Sequence, residues 1–149
     1  MSKAQTILLF GMPRSGTTWI GKIFDSHVQT LYRHEPDTWN KITHIPLVEQ
    51  ASEAAKYCDF VNKYVDEFVR SRDISVNGKL PFFPKAYTSQ IRQGLFQTSV
   101  LFSGAISKLN RNINFPVFPP LNPKRSTDYI VVWKSIQLLG RMGVIARCI

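Results

Sequence analysis

The chain is short of four things. It has 2 cysteines, Cys58 and Cys148, in no C-x-x-C or metal-ligand pattern, which excludes a zinc ribbon and makes a reducing, cytoplasmic setting the expectation. It has 3 histidines, two of which, His34 and His44, are candidate bases, and no metal is called for. It has no apolar run long enough to cross a bilayer: the longest uncharged stretch, Gln93 to Ser107, is broken by Gln97, Thr98, Ser99 and Ser103 and reads as a core helix. Met1-Ser-Lys leads straight into a strand pattern, so neither a signal peptide nor a membrane anchor is expected.

Acidic residues are scarce on one side only. From Met1 to Asp73, nine Lys and Arg face nine Asp and Glu, whereas beyond Ile74 ten basic residues face Asp128 alone, giving +9 overall. That asymmetry suits an anionic partner such as a bis-phosphorylated nucleotide, a sulfated glycan, nucleic acid or a membrane surface. With 44% hydrophobic residues over 149 positions, one compact domain is expected.

What is present is concentrated at the start. Ile7 to Phe10 has the composition of a buried parallel strand, Gly11, Pro13 and Gly16 build a turn, and a helix follows from Thr17, with Trp19, Ile20, Ile23 and Phe24 on one side and Lys22 and Asp25 toward water. Strand, glycine turn and helix N-terminus form an anion cradle. The spacing is that of G-x-x-x-x-G-K-[ST], but Thr17 and Thr18 stand where a triphosphatase has Lys and Ser or Thr. A cation appears instead at Arg14, inside the turn.

Pro13-Arg-Ser-Gly-Thr-Thr-Trp19 resembles the 5′-phosphosulfate loop of sulfotransferases that take sulfonate from PAPS (3′-phosphoadenosine 5′-phosphosulfate). Its Arg is more like the tyrosylprotein, carbohydrate and bacterial branches than the cytosolic small-molecule branch. The resemblance implies a P-loop-type α/β fold, a central parallel sheet between helix layers. It also implies that Arg14, Ser15, Gly16, Thr17, Thr18 and Trp19 hold PAPS as co-substrate, with Arg14 on the sulfonate. It places Glu35 as general base at the family's spacing after Thr18. Val132-Trp-Lys-Ser-Ile-Gln-Leu-Leu-Gly-Arg141 resembles the strand-to-helix junction of tyrosylprotein sulfotransferases, with Lys134 as catalytic Lys. Independently, a Lys at a strand's carboxyl end faces the crevice where α/β sheets bind ligands.

Two histidines compete with Glu35. His34 should point away from it along an extended segment, and His44, in Thr43-His-Ile-Pro-Leu47, is similar to a Thr-His-Leu-Pro of the cytosolic branch but comes much earlier in the chain. Between these landmarks Val28 to Tyr32 reads as a strand beside the first, Pro36 as a break that keeps the chain extended, and Val48 to Val69 as an amphipathic helix. Ser89 to Leu109 reads as a second helix, and Arg111 to Arg125 as an irregular connection. Tyr129 to Trp133 reads as a strand, followed by a helix to Cys148. Phe82 and Phe83 either wall an acceptor pocket or tuck into the core.

The family's 3′-phosphate-binding Arg and Ser come after the position of Ile149. The chain therefore reads as the first half of a single, truncated sulfotransferase domain, with weak donor binding. A hydroxyl-bearing acceptor is implied, and nucleic acid is not expected as a partner. The rival readings are a P-loop kinase or triphosphatase, which magnesium-dependent ATP turnover would favour, and a non-catalytic basic module that binds polyanions.

Overall fold

A computed structural model describes residues 5–109, 115–118 and 129–149. Most of the expected connection from Arg111 to Arg125 lies outside them. Three parallel strands form the sheet: β1 (Thr6–Phe10), β2 (Thr30–His34) and β3 (Ile130–Ser135). The order is β1-β3-β2, so the last strand in sequence lies between the first two. This corrects the expectation that β2 flanks β1. The all-apolar Ile-Val-Val-Trp of β3 is the reason: it has the composition of a strand covered on both faces, and Val131, Val132 and Trp133 are fully buried.

Register sorts the side chains by face. Leu31 pairs with Val131 and Arg33 with Trp133, while Tyr32 pairs with Val132 and His34 with Lys134. Directly paired residues share a face, so Tyr32, His34 and Lys134 lie together on one side, and Leu31, Arg33 and Trp133 on the other. The Trp133 side is covered by α3 (Cys58–Val69), whose Phe68 and Tyr64 rings lie 4.9 and 5.6 Å from the indole, and by α6 (Met142–Cys148). Buried Arg33 donates to Asn77 Oδ1 and to the Val69 carbonyl at the end of α3.

Helix α1 (Thr17–Ser26) covers the other face, but with the opposite side from the one its apolar residues suggest. Thr17, Gly21 and Asp25 are buried, whereas Trp19 and Ile23 are 71% and 51% exposed. Two local causes set this rotation. Gly21 lets the helix sit on the Tyr32 ring, which a Cβ there would strike, and Asp25 receives Lys22 on Oδ2 at 2.7 Å and Lys85 on Oδ1 at 2.8 Å.

Other boundaries move for plain reasons. Pro36 opens a short helix, α2 (Pro36–Trp39), because proline's fixed φ suits the first helical position. The amphipathic stretch before Val69 divides into a 3-10 turn at Ala51–Lys56 and α3. Asn77 ends the four-residue α4 (Ile74–Asn77). Helix α5 (Gln90–Leu109) is not a core helix: Val100 and Ser103 are buried, but Ile91, Leu95, Leu101 and Phe102 are exposed. Beyond β3 a 3-10 turn at Leu139–Arg141 precedes α6, so Leu138 and Ile145 reach the core while Leu139 and Met142 stay outside.

Cys58 on α3 and Cys148 on α6 are bonded to each other, 90 residues apart in sequence. Disulfides persist in oxidising compartments, so these cysteines no longer speak for a reducing one. Among the described residues no helix is long and apolar enough to cross a membrane. Closing so long a loop restricts the unfolded chain, and reduction should lower stability by about 2–4 kcal/mol. Thermal melts with and without reductant, beside a thiol titration that finds no free cysteine before reduction, check this.

Candidate functional site

The turn after β1 runs Gly11 to Gly16. Gly11 N–H donates to the Ser135 carbonyl at 3.2 Å, tying the turn to the end of β3. A Cβ on Gly11 would come within 2.5 Å of Thr17 Cγ2, so only glycine lets the turn close on the helix. Arg14 and Gly16 both adopt left-handed conformations, φ 64° and 79°. For Arg14 this is a strained conformation, of the kind that persists where surroundings enforce it. Ser15 closes the turn by donating from N and Oγ to the Met12 carbonyl.

Gly16 is the N-cap of α1, and no side chain caps the helix. The first-turn N–H groups therefore face outward uncapped, with the positive end of the helix behind them. Arg14, Ser15, Thr18 and Trp19 are exposed around that opening and Thr17 is buried beneath it.

Across the crevice, the carboxyl ends of β2 and β3 are joined by Glu35 N–H donating to the Lys134 carbonyl at 2.8 Å. Lys134 is 2% exposed, which rules out a surface lysine, and its ammonium is paired with Glu35 Oε1. Strand alternation alone would place Glu35 on the face opposite His34 and Lys134. Glu35 instead adopts φ 42° and ψ 55°, the N-cap of α2, and this left-handed residue returns its side chain to the Lys134 side. His34 consequently does not point away, as alternation suggests: its Nε2 lies 3.7 Å from Glu35 Oε1, and its Nδ1 is 2.9 Å from the Tyr32 hydroxyl.

Beside them Ser135 Oγ donates to Asp37 Oδ2 at 3.0 Å, and burial raises the Asp37 carboxyl above its usual range.

Loop and strand ends enclose one crevice of about 640 Å³, within the range of small-molecule sites. Arg14, Gly16, Thr17, Thr18 and Trp19 line it together with Glu35 and Lys134. Lys22, Leu80, Pro81 and Ile136 line it as well, and reading the sequence did not single them out. For Lys22 there was a signal, since it lies one helical turn below Thr18; for Leu80 and Pro81, far along the chain, there was none. His44 is exposed and set edge-on against Phe60, 4.9 Å between centroids, outside the crevice lining. Phe82 and Phe83 line a separate small cavity with Tyr32 and Arg33.

The family model for the sulfotransferase domain matches residues 4–110. The chain belongs to the sulfotransferase family. That match covers the loop, β2 and Glu35 and stops short of β3 and Lys134. Among curated proteins and among solved structures, none matches the chain. The family accounts for the P-loop-type α/β architecture.

Folding also lowers the proton affinity of His34. Burial, with Lys79, Lys134 and Lys22 nearby, pushes the His34 imidazole from 6.5 down to about 4, against the opposing pull of Glu35; Tyr32, the remaining titratable neighbour, stays neutral. Between those pH values the unfolded chain binds the proton and the folded chain does not, so stability is complete above about 6.5 and falls as the pH drops. Urea titrations from pH 7 to 4 should show a loss of about 2–3 kcal/mol from this residue, absent in His34→Gln.

Proposed function

We propose that the protein transfers a sulfonate group from PAPS to a hydroxyl acceptor and releases adenosine 3′,5′-bisphosphate. The observation that carries this reading is the contact between Glu35 and Lys134 in the lining of the same crevice that Arg14, Gly16, Thr17, Thr18 and Trp19 line, with Ser15 outside that lining. The loop's uncapped N–H groups suit the 5′-phosphosulfate, Arg14 suits the sulfonate, and the exposed Trp19 indole offers a flat face to the purine.

In the reaction, Glu35 takes the acceptor's proton as the acceptor oxygen bonds to sulfur. The bond from sulfur to the bridging phosphate oxygen breaks, and its electron pair leaves on that oxygen. Lys134 and Arg14 place positive charge around the leaving oxygen and the sulfonate, so catalysis is positioning and electrostatics. Glu35 is favoured over His44 as base because it lines the crevice and His44 does not. Arg14 in place of the loop lysine fits the tyrosylprotein, carbohydrate or bacterial branch.

The test measures adenosine 3′,5′-bisphosphate released from PAPS with a panel of phenol and sugar acceptors. Glu35→Gln and Lys134→Met should each reduce turnover by about 10²- to 10⁴-fold. In calorimetry, Arg14→Ala should weaken PAPS binding more than Glu35→Gln does. Undiminished turnover in Glu35→Gln would remove it from the mechanism.

A further inference from the structure

Resting on the reading of Glu35 as the base, we infer that His34, oriented by Tyr32, is the positioning residue that fixes which carboxylate oxygen of Glu35 faces the acceptor.

The chain of contacts begins inside the protein. Gly21 leaves room for the Tyr32 ring against α1, and the ring's hydroxyl reaches His34 Nδ1 at 2.9 Å. Burial and the nearby carboxylates of Asp25 and Glu35 raise the Tyr32 phenol well above its ordinary range, so it keeps its proton and can donate. The imidazole is neutral at physiological pH, which leaves two tautomers. If Nδ1 carried the proton, the Nε2 lone pair would face Glu35 Oε1 across 3.7 Å, lone pair against carboxylate. If Tyr32 donates to Nδ1, the proton is on Nε2 and points its positive end at that oxygen. Electrostatics therefore selects the Nε2–H form.

His34 and Lys134 then address the same atom. The Lys134 ammonium pairs with Oε1, and the His34 Nε2–H approaches Oε1 from the adjoining strand. A distance of 3.7 Å exceeds a hydrogen bond, but a small side-chain rotation of Glu35 closes it. With Oε1 claimed from two sides, Oε2 is the oxygen left to take the acceptor's proton; among the described residues it has no hydrogen-bond partner. Lys134 cannot secure this alone, because its flexible stem lets an ammonium follow either oxygen, whereas an imidazole held at Nδ1 has one direction.

The readout is nuclear magnetic resonance on the whole chain, independent of turnover. Long-range ¹⁵N spectra should show His34 as the Nε2–H tautomer from pH 8 to 5, and Tyr32→Phe should shift it toward a mixture. His34→Gln keeps an amide N–H that can still donate to Glu35. In PAPS turnover, His34→Ala should reduce kcat with little change in KM for PAPS, and His34→Gln should recover it.

An Nδ1–H tautomer in the unaltered protein overturns the inference, and that measurement needs no variant to fold. So does an unchanged kcat in His34→Ala. If Glu35→Gln keeps full turnover while the spectra are as expected, the base assignment fails and the contact between His34 and Glu35 stands.

Discussion

A lysine ammonium buried at the end of the central strand is the constraint from which the site's arrangement follows. Lys134 is 2% exposed, and an isolated charge there would be costly unless a carboxylate met it. Of the two flanking strands, β1 sets Leu9 beside Lys134, and the alternation of β2 puts His34, not Glu35, there. The conflict is resolved in the backbone: Glu35 takes a left-handed conformation that strand geometry does not offer, and Pro36 immediately starts a helix that holds it there. One turn thereby pairs the charge, ends the strand and brings a carboxylate to the crevice.

A second charge network sets the opposite wall. Asp25, buried at the far end of α1, accepts an ammonium on each oxygen, from Lys22 within the helix and from Lys85 in the segment before α5. Burial lowers the Lys85 pKa while Asp25 opposes that shift, so the pair is a compensated charge in a closed space. With Gly21 against Tyr32, this network decides which side of α1 faces the sheet. The helix whose N-terminus has no side-chain cap is thus oriented by polar contacts, and Trp19 and Ile23 face outward.

Much of this was legible in the residues. The strand-turn-helix at Ile7 to Trp19, the strand carrying Trp133 and Lys134, and the arrival of Glu35 and Lys134 at one sheet edge all follow from local composition and from the rule that parallel strands aim their carboxyl ends at a common crevice. What escaped reading has a common cause. The order β1-β3-β2, the inward turn of Asp25 and the joining of Cys58 to Cys148 each depend on partners from distant segments, and hydrophobic periodicity reports only one segment at a time. The side of α1 that faces the sheet differs from the one its apolar stripe predicts, because a glycine against Tyr32 and a paired aspartate outweigh the stripe.

The His34 error is of another kind, because its cause was local and still invisible. Period-two alternation is a statement about extended backbone, and it fails at one residue of positive φ. Glycine announces such positions; glutamate does not. Arg14, on the facing side of the crevice, breaks the same rule, at φ 64°. Both walls therefore present a charged side chain from a left-handed residue that is not glycine, and for each the backbone conformation carries a strain that a plain turn would avoid by using glycine. A glycine at either place would relax the backbone and remove the charge. Arginine and glutamate held there instead set two charges of opposite sign in the lining of one crevice.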